Sequence, residues 1–121
     1  MKIHAWVLTA LLLPILGAAA GCHSYHVETT VENRTGEPIQ LVEVDYPSAS
    51  FGINSLAAGA TFHYRIQIRG TGPLKVAFTG KNGRQAQIDG PGVAERQEGR
   101  LAIVLLPGDK AEFHPELTPA P

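Results

Sequence analysis

The side chains able to hold a metal ion are His23, His26, His63 and His114, with carboxylates scattered between them. A zinc or copper site needs three or four convergent ligands. His23 and His26 stand close together, but nothing beside them completes a set: Met1 is the single methionine and Cys22 the single cysteine. His63 falls on the outward side of a strand and reads as a surface residue. No metal and no other cofactor is therefore expected. The serines at 24, 48, 50 and 55 lie in linker or loop text. None sits in the Gly-x-Ser-x-Gly elbow that lifts a nucleophile above a sheet, and no spacing brings a histidine and a carboxylate to one of them. Glu43 and Asp45 share one strand face as neighbouring acids, the usual way to keep that face wet, and glycoside hydrolysis would need a substrate cleft between such a pair. The Gly70–Gly72 and Gly80–Gly83 runs lack the spacing of a phosphate loop leading into a helix. Asn33-Arg34-Thr35 fits a glycosylation acceptor, which has meaning only in a eukaryotic secretory pathway. No catalytic residue is assigned, and the chain does not read as an enzyme.

One polar strip remains. His63, Arg65, Gln67 and Arg69 alternate with Phe62, Tyr64, Ile66 and Ile68, so the four polar residues share an outward face. Arg65 and Arg69 would stand about 13 Å apart on a strand, too far to clamp one carboxylate. The strip is a candidate binding surface for anionic headgroups or a glycan. The same pattern is expected of a solvated face whose charges discourage edge-to-edge aggregation.

Cys22 is the residue whose context says most. A protein with one cysteine forms no internal disulfide, and a bare thiol in an oxidising compartment needs a reason. Before it come Lys2 and His4, an apolar run over Ala5–Leu16, and the small residues Gly17 to Gly21. Basic, apolar and small segments in that order are the plan of a secretory signal peptide. The apolar run falls short of the roughly 20 residues of a transmembrane helix. The sequence Ala19-Ala20-Gly21-Cys22 resembles the lipobox of bacterial lipoproteins, a resemblance confined to residues 1–22. It implies cleavage after Gly21 and a diacylglycerol on the Cys22 sulfur. Each buried CH₂ contributes about 0.8 kcal/mol, and two acyl chains hold a protein at a bilayer. Plain secretion with cleavage near Ala20 is the alternative and would leave Cys22 as a stray thiol. His23, where enteric lipoproteins retained in the inner membrane carry Asp, favours the periplasmic face of the outer membrane over the inner membrane.

Removal of residues 1–21 leaves 100 residues, enough for one modest core without staples. That part carries nine Lys and Arg against eleven Asp and Glu, which is not the footprint of a nucleic-acid binder. From Tyr25 onward the text alternates in strand period between Gly/Pro turns. Strands are expected near Tyr25–Glu32, Ile39–Tyr46, Thr61–Arg69, Leu74–Thr79, Arg84–Ile88, Leu101–Leu106 and Ala111–His114, with Phe51-Gly52-Ile53 as a short edge piece. Asp89–Gly99 reads as a loop, with room for a helical turn over Val93–Glu98. Leu101–Leu106 is apolar throughout and belongs at the centre of a sheet. Asn82-Gly83 marks a hairpin.

The expected organisation is a signal peptide over 1–21, a lipidated linker over 22–24, a sandwich over 25–114 and a Pro-rich flexible tail over 115–121. The fold expected is a small all-β antiparallel sandwich of about seven strands, similar in pattern to immunoglobulin-like or transthyretin-like modules. The expected role is that of a non-enzymatic accessory or protein-interaction module, held to a membrane through Cys22 and meeting an envelope protein partner. The alternative is a ligand-binding or inhibitor module of the envelope, with a small metal carrier or hydrolase behind it.

Overall fold

The computed structural model describes residues 24–121. The expected signal peptide and lipobox, with Cys22 and His23, lie outside the described residues. Within them, eight strands follow one another: β1 (Val27–Asn33), β2 (Ile39–Tyr46), β3 (Ala49–Leu56), β4 (Thr61–Ile66), β5 (Gly72–Thr79), β6 (Gln85–Val93), β7 (Gln97–Leu106) and β8 (Lys110–Pro119). They form two four-stranded sheets, in the orders β4-β1-β7-β8 and β3-β2-β5-β6. The fold is thus the all-β sandwich that the alternating sequence predicts. No helix among the described residues is long and apolar enough to cross a membrane.

Alternation places one side chain in two between the sheets. Val27 and Val31 of β1, Val42 and Val44 of β2, Leu74 and Val76 of β5, and Leu101, Ile103 and Leu105 of β7 are buried there. Each such side chain contributes about 1.5–3 kcal/mol by leaving water. β7 lies between β1 and β8, and its outward Val104 is also buried, as an unbroken apolar run requires. Three tight hairpins join β2 to β3, β5 to β6 and β7 to β8; the other four connections cross between sheets.

Several expectations need correction. Not every pairing is antiparallel: β1 and β7 run parallel, with Val27 beside Gly99 and Asn33 beside Leu105, because every connection leading away from β1 and into β7 crosses between the layers. Phe51-Gly52-Ile53 is the middle of an eight-residue strand, β3. The Pro47–Ser50 loop shrinks to Pro47 and Ser48, which turn β2 into β3 with Ser48 at φ 83°. Asp89–Gly99 is mostly strand: β6 runs on to Val93, and β7 begins at Gln97. Gly and Pro in that stretch mimic a loop, but β6 is an edge strand, where a missing N–H or side chain is tolerated.

The Pro-rich tail is likewise paired. β8 extends to Pro119, with Pro115 opposite Leu101 and Pro119 opposite Gln97. The Ala120 N–H donates to the Arg96 carbonyl at 2.9 Å. Donors alternate along an antiparallel ladder, so Pro115 and Pro119 occupy positions whose N–H would point away from β7. An edge strand loses no ladder bond to a proline placed there.

The two long sides of the sandwich close differently. On one side the ring of Phe113 in β8 lies against Gly90 of β6, where a Cβ would stand 2.7 Å from Cε2. On the other, between the edge strands β3 and β4, Phe51 stacks on Tyr64 with centroids 4.6 Å apart and on Phe62 at 6.3 Å, and Tyr46 tilts against Phe51 at 6.5 Å. Phe62 and Tyr64 share the inward face, but they sit at the rim of the layer, and Tyr64 stays 45% exposed. Alternation predicts the face a side chain takes; its depth depends on how far its strand lies from the sheet's edge.

Candidate functional site

The chain enters and leaves the sandwich at one pole. The Gly99 N–H donates to the His26 carbonyl at 3.2 Å, and the Arg96 guanidinium lies over the Tyr25 ring, 5.0 Å from its centroid. Ala120 closes onto the Arg96 carbonyl, and the Arg96 N–H donates to the Ile68 carbonyl at 3.0 Å. Arg96, at φ 65° in the β6–β7 turn, therefore ties the incoming segment, the outgoing segment and the β4–β5 connection together. A cation over an aromatic face is worth about 0.5–1 kcal/mol at an exposed site.

The candidate strip over His63–Arg69 divides in two. β4 ends at Ile66, so His63 and Arg65 stand on the strand, while Gln67 and Arg69 belong to the connection that follows. Arg65 Nε donates to Glu28 Oε1 on β1 at 2.7 Å. Arg69 donates from Nε and Nη2 to Gln67 Oε1, at 3.1 and 2.6 Å. One arginine is matched by a carboxylate and the other by a neighbouring amide. The strip is a surface of two local pairs, not a cluster of four converging groups.

The opposite pole holds a cleft of about 410 Å³. Its floor is Ile39 and Phe78, and its rim carries Glu37, Lys81, Asn82 and Asp109. Three turns build it: β1–β2, β5–β6 and β7–β8. Arg84 Nη2 donates to Asp109 Oδ2 at 3.1 Å, joining two of those turns. In the β5–β6 turn Gly83 alone takes a positive φ, 79°, while Asn82 Oδ1 accepts the Arg84 N–H at 3.0 Å. Each of these turns is legible in the sequence. Their convergence is not, because it follows from the sheet order and leaves no local pattern.

Asn33 organises that pole from below and is fully buried. Its Nδ2 donates to the carbonyls of Glu37 at 2.7 Å and Leu56 at 3.0 Å; its Oδ1 accepts from the Thr35 N–H at 3.0 Å and the Thr35 hydroxyl at 2.7 Å. An amide has two donors and two acceptor sites, so its capacity is filled. The Asn33-Arg34-Thr35 tripeptide is thereby a folding device with no free amide for a glycan.

Elsewhere Glu43 and Asp45 project from β2, and the register sets Lys75 beside Asp45. His114 Nε2 lies 3.5 Å from Glu112 Oε1. Among the described residues no three His, Cys, Asp or Glu side chains come together in a metal-binding group.

No protein-family model matches the chain, and no curated protein matches it. A solved structure does: that of a protein from Eubacterium rectale, determined by NMR, with a TM-score of 0.55 and 13% sequence identity over 74% of this chain and 86% of the other. At that identity the similarity is one of fold.

Proposed function

We propose that this chain is a bacterial envelope lipoprotein, anchored through a diacylglycerol on Cys22, whose sandwich acts as a non-enzymatic accessory or protein-interaction module. The observation that carries the reading is where the chain's ends lie: the segment leading from Cys22 and the last residues of the chain both meet Arg96. A lipid on Cys22, three residues before Tyr25 in the sequence, would hold the domain by that pole. β1 rises about 3.3 Å per residue away from it, so the cleft floored by Ile39 and Phe78 stands at the far end, turned toward whatever the envelope presents. Holding a domain beside a membrane raises its effective concentration for a partner there. His23 in place of an Asp after Cys22 supports, in this reading, an anchor on the periplasmic face of the outer membrane.

Cys22→Ala tests the proposal. The substituted chain is expected in the soluble envelope fraction, and mass spectrometry of the unsubstituted chain is expected to show a mature N-terminus at Cys22 carrying the mass of a diacylglycerol. Retention of Cys22→Ala in the membrane, or an unmodified Cys22, overturns it. A ligand-binding module is the second reading, favoured by the mixed apolar and charged lining of the cleft.

A further inference from the structure

Among the described residues the four edge strands of the sandwich are β4 and β8 in one sheet, β3 and β6 in the other. Open edges invite pairing with another chain, and proteins guard them with charge and proline. β8 carries Lys110, Glu112, Glu116 and two prolines; β6 carries Asp89 and Pro91; β4 carries Arg65, in its pair with Glu28. β3, Ala49-Ser50-Phe51-Gly52-Ile53-Asn54-Ser55-Leu56, has no charge and no proline over eight residues.

A second observation falls on the same place. Among the described residues the large hydrophobic side chains left exposed are Leu41, at 62%, and Tyr64, at 45%. Tyr64 stacks on Phe51 of β3. Leu41 lies in β2, the strand next to β3, at the bulge where the β2–β5 register shifts between Gln40 and Glu43, and holds φ 51°. Left-handed backbone at a residue other than Gly, Asn or Asp costs about 1–2 kcal/mol. A leucine turned to solvent at a bulge contributes nothing to this domain's own core, and bulges recur at sheet edges and beside functional sites.

We infer that β3 is a pairing edge for a second copy of this chain, joined antiparallel to the same strand so that two four-stranded sheets become one of eight. An uncharged strand meets its own copy with no like-charge repulsion, and a twofold contact needs only self-complementarity. Side chains directly opposite each other share a face. A dyad at Gly52 satisfies this, setting Phe51 against Ile53 of the second copy and inward residues against inward ones. Gly52 is exposed, and a Cβ added there would meet only the Val42 carbonyl oxygen, at 3.6 Å, so a side chain fits. The inference does not depend on the lipid anchor.

The test is oxidative crosslinking of the purified full chain with copper phenanthroline, the unsubstituted protein setting the background from Cys22. Opposed residues in an antiparallel pair stand about 4.5–5.5 Å apart between Cα atoms, within disulfide reach. Gly52→Cys is expected to convert most of the protein to a covalent dimer, and Gln87→Cys, outward on the β6 edge, to stay near background. Adding Ser50→Lys and Asn54→Lys to Gly52→Cys gathers four cations around the dyad and is expected to abolish the dimer while a β-type circular dichroism spectrum persists. Crosslinking of Gly52→Cys no greater than that of Gln87→Cys overturns the inference, as does crosslinking unmoved by the added lysines. Because oxidation is done on purified protein, neither result depends on where the cell places the chain.

Discussion

Asn33 Nδ2 donates to the Leu56 carbonyl at 3.0 Å, and that bond joins the two sheets: Asn33 ends β1 in one, and Leu56 ends β3 in the other. The Asn33 backbone extends the tie, its N–H donating to the Ala60 carbonyl at 2.9 Å and its carbonyl accepting the Gly59 N–H at 2.8 Å. A single buried amide thus holds the β1–β2 loop and the β3–β4 turn at the pole that carries the cleft.

Asn33→Ala leaves the buried Leu56 carbonyl and the Thr35 N–H without their partner, while the exposed Glu37 carbonyl keeps its bond from the Thr35 hydroxyl. Buried polar groups stranded in this way cost about 1–3 kcal/mol each where water cannot reach them. The expected loss is about 2–4 kcal/mol of unfolding free energy, a large share of the 5–15 kcal/mol typical of a domain. Urea denaturation followed by circular dichroism measures it. A loss below about 1 kcal/mol would mean that water replaces the amide.

Gly99 is the second position where one atom decides. It lies inside β7 at φ 132°, and a Cβ there would collide with the Glu116 carbonyl oxygen of β8. Neither partner is a flexible side chain, so Gly99→Ala must push β8 aside or twist β7. The expected cost is at least about 2 kcal/mol, with the loss of amide protection in hydrogen exchange concentrated in β8 from Leu117 onward.

Tyr46 supplies a pH dependence. Burial, and secondarily the neighbouring Tyr64, raise its phenol above the ordinary value of 10.0. The folded state therefore holds the proton more tightly than the unfolded chain. The associated stability is fully present below about pH 10 and is lost as pH rises through the higher, folded value. Thermal melts of the unsubstituted protein between pH 8 and 11 should fall more steeply above about pH 10 than those of Tyr46→Phe, which has no proton to lose. Parallel curves would assign the alkaline loss to other groups.

Much of the sandwich is legible in the text. The period of two over Val27–Val31, Val42–Tyr46 and Leu74–Phe78 names the inward residues, because a strand's side chains alternate whatever lies beside it. The apolar run Leu101–Leu106 places its strand inside a sheet, since an edge would leave such a face in water. The resemblance of Ala19-Ala20-Gly21-Cys22 to a lipobox, too, is a local pattern, carried by four consecutive residues.

What the local text leaves open is everything set by neighbours. Pro115 and Pro119 look like a strand's end until the ladder shows that their missing N–H groups point away from β7. His63, Arg65, Gln67 and Arg69 look like one face until β4 stops at Ile66 and Glu28 arrives from β1. The buried amide of Asn33, the cleft over Ile39 and Phe78, and the bare edge of β3 each need elements far apart in sequence to meet. Side-chain period is a property of a single strand and is written in residue order. Sheet order and the choice of edges come from the free energy of the whole packed core, and no window of the sequence contains them.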